Sequence, residues 1–208
     1  MAENLSVSNN FGDRSGKNWV EQRNQYFKSA QLMKEINPTE AASLLKSSLA
    51  LDNRYLPAYE ELIDILISSQ EYSSAINYCK KLQQVSQNTA FIFEGRVYFS
   101  QKKFEEAKDC FKKVLSKENN NSSALYYLGL RNLFLKEYEN SKLYIKRFLQ
   151  VKKNDFNGLL CLAISNLLLQ SYDNAINLYK VRNVLFFLII QYNKTYNMYS
   201  LTLKYHFS

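Results

Sequence analysis

Chain breakers are scarce: 208 residues contain only 5 glycines and 2 prolines. An all-β fold needs many tight turns, so this shortage argues against sandwiches and barrels and favours long helices joined by short polar loops. Histidine is scarcer still, with its one copy at His206. That excludes a histidine cluster for zinc and speaks against Ser-His or Cys-His nucleophilic catalysis. The three cysteines, Cys79, Cys110 and Cys161, are odd in number, widely spaced and embedded in apolar helical patterns without a CxxC pair. They read as reduced, buried thiols of a cytosolic or nuclear protein. Neither a GxxxxGK[ST] nor a GxGxxG phosphate loop occurs. The longest strongly apolar run, Val184 to Ile190, is far below the ~20 residues that a membrane-spanning helix requires. The opening "MAENLSVSNNFGDRSGKN" has no apolar run of signal-peptide length, and residues 1–18 read as a disordered lead. No residue is assigned a catalytic, cofactor-binding or metal-ligating role.

Charge is plentiful but one-sided, with 27 Lys and Arg against 19 Asp and Glu, a formal balance of +8. Such an excess bears on solubility and nonspecific attraction rather than on mechanism. The carboxylates Glu60, Glu61 and Asp64, and again Glu105, Glu106 and Asp109, fall on predicted helices and read as solvated faces, not acid/base pairs. In the second of these helices the acids come first and Lys112, Lys113 and Lys117 last, which suits the helix macrodipole and lets Asp109 pair three and four residues on. Lys142, Lys146, Arg147, Lys152 and Lys153 continue a positive outer face, read chiefly as solvated, with contact to an acidic partner, anionic lipid or RNA as the alternative.

What the sequence does have is a recurring phrase. "QEYSSAINYC" begins at Gln70, "KKFEEAKDCF" at Lys102, "KEYENSKLYI" at Lys136 and "QSYDNAINLY" at Gln170. Their small residues, Ala75, Ala107, Ser141 and Ala175, are spaced by 32, 34 and 34 residues, and a less regular copy holds Ala41. A period near ~34 residues marks helix-turn-helix solenoids. Each unit reads as two helices. Phe91, Glu94, Gly95 and Tyr98 give one face of a first helix; Ala107, Phe111 and Val114 give the face of a second. Tyr72, Phe104, Tyr138 and Tyr172 are placed to plug the turn between paired helices, and the small residue three positions on lets the second helix pack closely. Gly95 and Gly129 sit mid-helix, where glycine costs ~1 kcal/mol against alanine, so a close helix crossing is expected there. Asn37 with Pro38 and Glu40 reads as a helix start, and Pro57 as another; the opening helix between Trp19 and Ile36 fits the pattern poorly, as a terminal repeat does.

On these residues the chain resembles the tetratricopeptide repeat family, whose units run bulky residue, Leu-Gly, Tyr in the first helix and Ala, aromatic, Ala in the second. "ALYYLGLRNLF…KEYENSKLYIKRF" and "AFIFEGRVYF…KKFEEAKDCFKKV" carry the resemblance best, followed by "GLLCLAISNLL…QSYDNAINLYK". The closing Pro of a unit is replaced by Asn53, Gln87, Asn119 and Lys153, and Ser141 replaces Ala. The resemblance implies an all-α, right-handed solenoid of antiparallel helix pairs over residues 19–180, in about five repeats: 19–55, 56–87, 88–121, 122–155 and 156–180. Residues 181–208, which contain no Asp or Glu, break the pattern. They read either as a divergent capping helix laying Leu185, Phe186, Leu188 and Ile189 on the last repeat, or as a departure from the reading frame of a longer array.

Stacked units of this kind line a concave wall with their first helices. The partner-binding groove is assigned to Glu60 and Asp64 in the second unit, Phe93 and Arg96 in the third, Tyr126, Tyr127, Leu130 and Phe134 in the fourth, and Ile164 in the fifth. So apolar and aromatic a wall is expected to contact protein. Family members that serve chaperones grip a terminal carboxylate with Lys, Asn and Arg; here those places hold Glu60, Asp64, Ile92, Arg96, Tyr126, Tyr127, Leu130, Leu160 and Cys161, and the clamp is missing. The implied function is a non-catalytic scaffold or adaptor within a multiprotein complex, similar to repeat subunits of the anaphase-promoting complex or ciliary transport assemblies. It would need no cofactor, and its expected place is the cytoplasm, or a nuclear or ciliary complex. Its partner would be a peptide or helix held in the groove, a neighbouring repeat subunit or a second copy of the chain. The alternatives are the targeting region of a longer repeat-bearing enzyme, or a helical-repeat RNA binder. Pentatricopeptide arrays end their units with Gly and Pro-Asp signals that are absent here.

Overall fold

The computed structural model describes residues 18–169, which are helical throughout apart from short connections, with no strand among them. The lead up to residue 17, Tyr172, Ala175, His206 and the 181–208 tail lie outside the described residues. Contacts divide the chain into two compact units, Met1–Gln101 and Lys102–Ser208. The first holds α1 (Asn18–Met33), α2 (Pro38–Leu51), α3 (Leu56–Ser68), α4 (Tyr72–Leu82) and α5 (Gln87–Ser100). The second holds α6 (Phe104–Lys117), α7 (Ser122–Phe134), α8 (Tyr138–Val151) and α9 (Phe156–Leu168).

Local chemistry explains where the helices start. Asn37 caps α2: its side-chain oxygen accepts from the Glu40 N–H at 3.2 Å, its amide donates to the Glu40 carboxylate at 3.1 Å, and Pro38 occupies the first helical position. Asn121 and Asp155 cap α7 and α9 in the same way, accepting from the N–H groups of Ala124 and Gly158. Pro57 lies in the first turn of α3.

The ends of α3, α5 and α7 share a device that the sequence does not announce. Gln70, Lys102 and Lys136 adopt left-handed backbone, with φ of 60°, 60° and 62°, each two residues before the aromatic of the recurring phrase. At α3 the N–H of Glu71 returns to the Leu66 carbonyl at 2.8 Å and that of Gln70 to Ile67 at 3.0 Å. At α7 the N–H of Glu137 returns to Asn132 at 2.8 Å and that of Lys136 to Leu133 at 3.1 Å. This is a Schellman ending, usually reserved for glycine, which satisfies the last carbonyls and reverses the chain in three residues.

Within the first unit, each helix packs on the next, and α3 also meets α5. Such short connections make consecutive helices antiparallel neighbours. The core is built from Ala41, Leu45, Leu62, Ile63, Ala75, Cys79, Leu82, Ala90 and Val97, with Tyr72 half-buried against it at the turn it was expected to plug. In the second unit α6 packs on α7, α7 on α8, α8 on α9, and α7 on α9. A cluster of Ile145, Cys161 and Leu162 gathers Tyr126, Leu130, Leu133 and Leu149 around it.

The small residues sit where close packing demands them. Ala75, Ala107 and Ser141 are each 0% exposed. A Cβ added to Gly129 would come within 2.5 Å of Ile145 Cδ1, and one on Gly158 within 2.6 Å of the Phe148 ring. Ser141, the departure from alanine, is explained by Ser165, whose hydroxyl lies 3.2 Å from that of Ser141 and 2.8 Å from the Cys161 carbonyl. Two buried hydroxyls thus satisfy each other between α8 and α9.

Candidate partner-binding surface

In the first unit the expected groove residues lie on α3 and α5. Asp64 and Arg96 meet directly, Oδ1 to Nη2 at 2.6 Å, and the Arg96 guanidinium lies 4.7 Å from the Phe93 ring centroid. Glu60, one turn before Asp64, is half-buried and feels both Asp64 and Arg96. Its neighbour Glu61 pairs with Lys34 at 2.6 Å. Burial raises the Asp64 carboxyl above its ordinary value, with Arg96 pulling it back; burial also raises Glu60, reinforced by the Asp64 and Glu61 charges. The face that reads in sequence as acidic is therefore a crowded set of carboxylates partly neutralised by two cations. Phe93 departs from expectation. It is 6% exposed and belongs to the first unit's core, with the Arg96 guanidinium lying over its ring.

In the second unit the structure gathers Tyr126, Tyr127, Leu130 and Phe134 on α7, with Ile164 on α9 packed beside it. The two tyrosines meet edge to face, with centroids 5.5 Å apart. Tyr127 stacks on the fully buried Phe111 of α6 at 5.3 Å and 10°, while Tyr126 leans on Phe148 of α8 at 5.3 Å. Tyr126 also shares a hydrogen bond with Cys161; burial pushes the phenol far above its usual range and the Cys161 thiol up to about 11. Both tyrosines are half-buried and hold neighbouring helices together, so they are more than open anchors. Leu130 and Ile164 are half-buried too.

The open apolar surface lies one turn further on. Phe134, 61% exposed with its ring stacked against Phe104, ends α7. Leu168, 51% exposed and one 34-residue period later, ends α9 beside Leu167. The equivalent position on α5 of the first unit holds the polar Ser100, whereas Leu32 and Ile36 stand exposed around the end of α1. Sequence reading underrated one further residue. Arg131 is buried, and its guanidinium donates to the Asn132 side chain at 2.7 Å, to Glu137 at 3.1 Å, to Glu105, and to the Phe104 carbonyl at 3.4 Å. It ties α6, α7 and the turn before α8 into one network, and an arginine in an otherwise apolar helix stretch was the available signal. Among the described residues no group of His, Cys, Asp and Glu is arranged to hold a metal, and no helix is long and apolar enough to cross a membrane.

Residues 90–121 match the family model described as tetratricopeptide repeat. No curated protein matches the sequence. Among solved structures, PilF of Pseudomonas aeruginosa is similar with a TM-score of 0.66 at 20% identity, over 92% of this chain and 94% of that one. MamA of Desulfovibrio magneticus RS-1 gives 0.59 at 16% identity, over 78% of this chain and 98% of that one. A chain of the Cut9–Hcn1 hetero-tetramer of the APC/C gives 0.61 at 14% identity, over 80% of this chain and 37% of that one. At such identities the likeness establishes the fold, a helical-repeat solenoid.

Proposed function

We propose that this chain, a tetratricopeptide-repeat protein by its residues 90–121 and by its fold, is a non-catalytic scaffold that holds a segment of another protein against its first helices. The observation that carries the reading is the apolar edge of Phe134, Leu167 and Leu168, exposed at equivalent ends of α7 and α9. Exposed apolar side chains grouped on adjacent helices favour a docking surface over a solvated one. Tyr126, Leu130 and Ile164 lie half-buried on the same two helices. In the first unit, Glu60, Asp64 and Arg96 offer a polar, charge-balanced stretch that suits selectivity more than affinity. Occurrence of the fold in a hetero-tetramer, as in Cut9–Hcn1, supports use in a protein assembly.

The test is affinity capture from cells with wild-type protein and with Phe134→Glu/Leu168→Glu, partners being identified by mass spectrometry. Both positions are exposed, so far-UV circular dichroism should hold and the urea midpoint should fall only slightly, through the lost stacking of Phe134 on Phe104, while at least one partner is lost. An identical partner set from the two proteins would refute the assignment. Replacing Tyr126 and Tyr127 would be a poorer probe, since Tyr127 supports Phe111 and its loss would unsettle α6.

A further inference from the structure

A second surface lies on the first unit. An open cleft of about 700 Å³ runs between α2, α3 and α4, within the size of clefts that hold ligands, roughly 300–1,000 Å³. Its walls carry Lys46, Arg54 and Lys81, all exposed, and no carboxylate lines it. Its floor is Leu49, Tyr59 and Val85, buried or half-buried. The nearest acid in sequence, Asp52, is engaged elsewhere: its carboxylate accepts from Arg23 at 2.6 Å and from the Arg54 backbone N–H at 3.0 Å. Tyr59 is spent internally as well, donating its hydroxyl to the Asn53 carbonyl at 3.1 Å.

We infer that this cleft binds an acidic segment of a protein partner, with Asp and Glu carboxylates on the three cations and an apolar side chain on the floor. Like charges held around one concavity repel, and an anionic occupant relieves that repulsion while it gains focused attraction. Protein is favoured over nucleic acid because no open aromatic face is offered to a base. Tyr59 is 4% exposed, and Lys81 already sits 4.9 Å from the Tyr78 ring centroid. The apolar floor favours a mixed acidic and apolar segment over free phosphate, which would leave Leu49 and Val85 uncovered. This inference uses residues that the groove proposal does not, so either can fail alone.

The experiment is fluorescence anisotropy on the full chain, with a short fluorescein-labelled peptide of glutamates flanking one Leu-Phe pair as probe. Wild type should bind it, Lys46→Glu/Lys81→Glu should weaken binding about tenfold or more, and Phe134→Glu/Leu168→Glu should bind as wild type does. Both lysines are exposed, so the urea midpoint should be unchanged, and the milder Lys46→Gln/Lys81→Gln variant should fall between. The inference is overturned if the peptide does not bind, or if the lysine variants bind it as wild type does. It is equally overturned if inorganic phosphate at matched ionic strength, poly-U or phosphatidylserine vesicles displace the peptide fully.

Discussion

Gly129→Ala sets two magnitudes against each other. Alanine is the better helix former by ~1 kcal/mol, so with free space around it this substitution in the middle of α7 would stabilise the protein. The structure denies that space: the new Cβ would lie 2.5 Å from Cδ1 and 2.6 Å from Cγ1 of Ile145, and 3.5 Å from its backbone nitrogen. Carbon atoms rest at about 3.5–4.0 Å, so Ile145 must retreat by roughly 1 Å. Ile145 is 0% exposed, and its other neighbours block that retreat. Overpacking of a filled core costs about 1–3 kcal/mol, which exceeds the propensity gain, and a net loss of ~1–2 kcal/mol is expected. Urea unfolding followed by circular dichroism, at unchanged slope, measures it. Ile145→Ala removes both clashing carbons at a cost of its own, and in that background Gly129→Ala should turn stabilising by up to ~1 kcal/mol. A stabilised Gly129→Ala single variant, or the same loss in both backgrounds, would refute close packing of α7 on α8.

Three further outcomes are expected. Arg131→Met should destabilise by ~1–3 kcal/mol in the same assay; the loss is limited because Glu105 and Glu137 are exposed enough to regain water. Lys136→Gly should stabilise by up to ~1 kcal/mol, since φ of 62° suits glycine, and differential scanning calorimetry would register a higher Tm. The third concerns pH. Asp64 and Glu60 titrate above their ordinary values, 3.8 and 4.5, so the native state takes up these protons before the unfolded chain does. Their charged forms therefore cost stability at neutral pH, a cost relieved as pH falls through their raised folded values. Arg96→Met removes the cation that lowers Asp64. It should cost ~1 kcal/mol at neutral pH, a figure held down by partial exposure of the pair, and the deficit should shrink on acidification. A deficit independent of pH, read from urea midpoints between neutrality and about pH 4, would count against that pairing.

Much of the architecture was written in short-range sequence. Recurrence of Ala75, Ala107 and Ser141 at near-constant spacing is enough to call helix pairs, because a small residue every ~34 positions has meaning only where helices cross. Asn37-Pro38 declared a helix start through chemistry confined to four residues. By contrast, no glycine announces the left-handed endings at Gln70, Lys102 and Lys136; at Gln70 and Lys136 they come with hydrogen bonds back to the completed helix, which the side chain does not specify.

The candidate groove was half legible. Period and face placed Tyr126, Leu130 and Phe134 on one helix, but whether a ring stands open or leans on a neighbour depends on what the next helices present. Only the folded chain puts Phe111 behind Tyr127, Phe148 behind Tyr126 and the first unit's core behind Phe93. Charge shows the same division. The sequence determined how many acids and bases there are, while pairing of Arg96 with Asp64 and Lys34 with Glu61, and the acid-free cleft of Lys46, Arg54 and Lys81, follow from tertiary packing. Periodicity is a property of one helix at a time; contact between helices is a property of distance in space, and residues 32 apart in sequence, as Asp64 and Arg96 are, become neighbours only when the first helices stack.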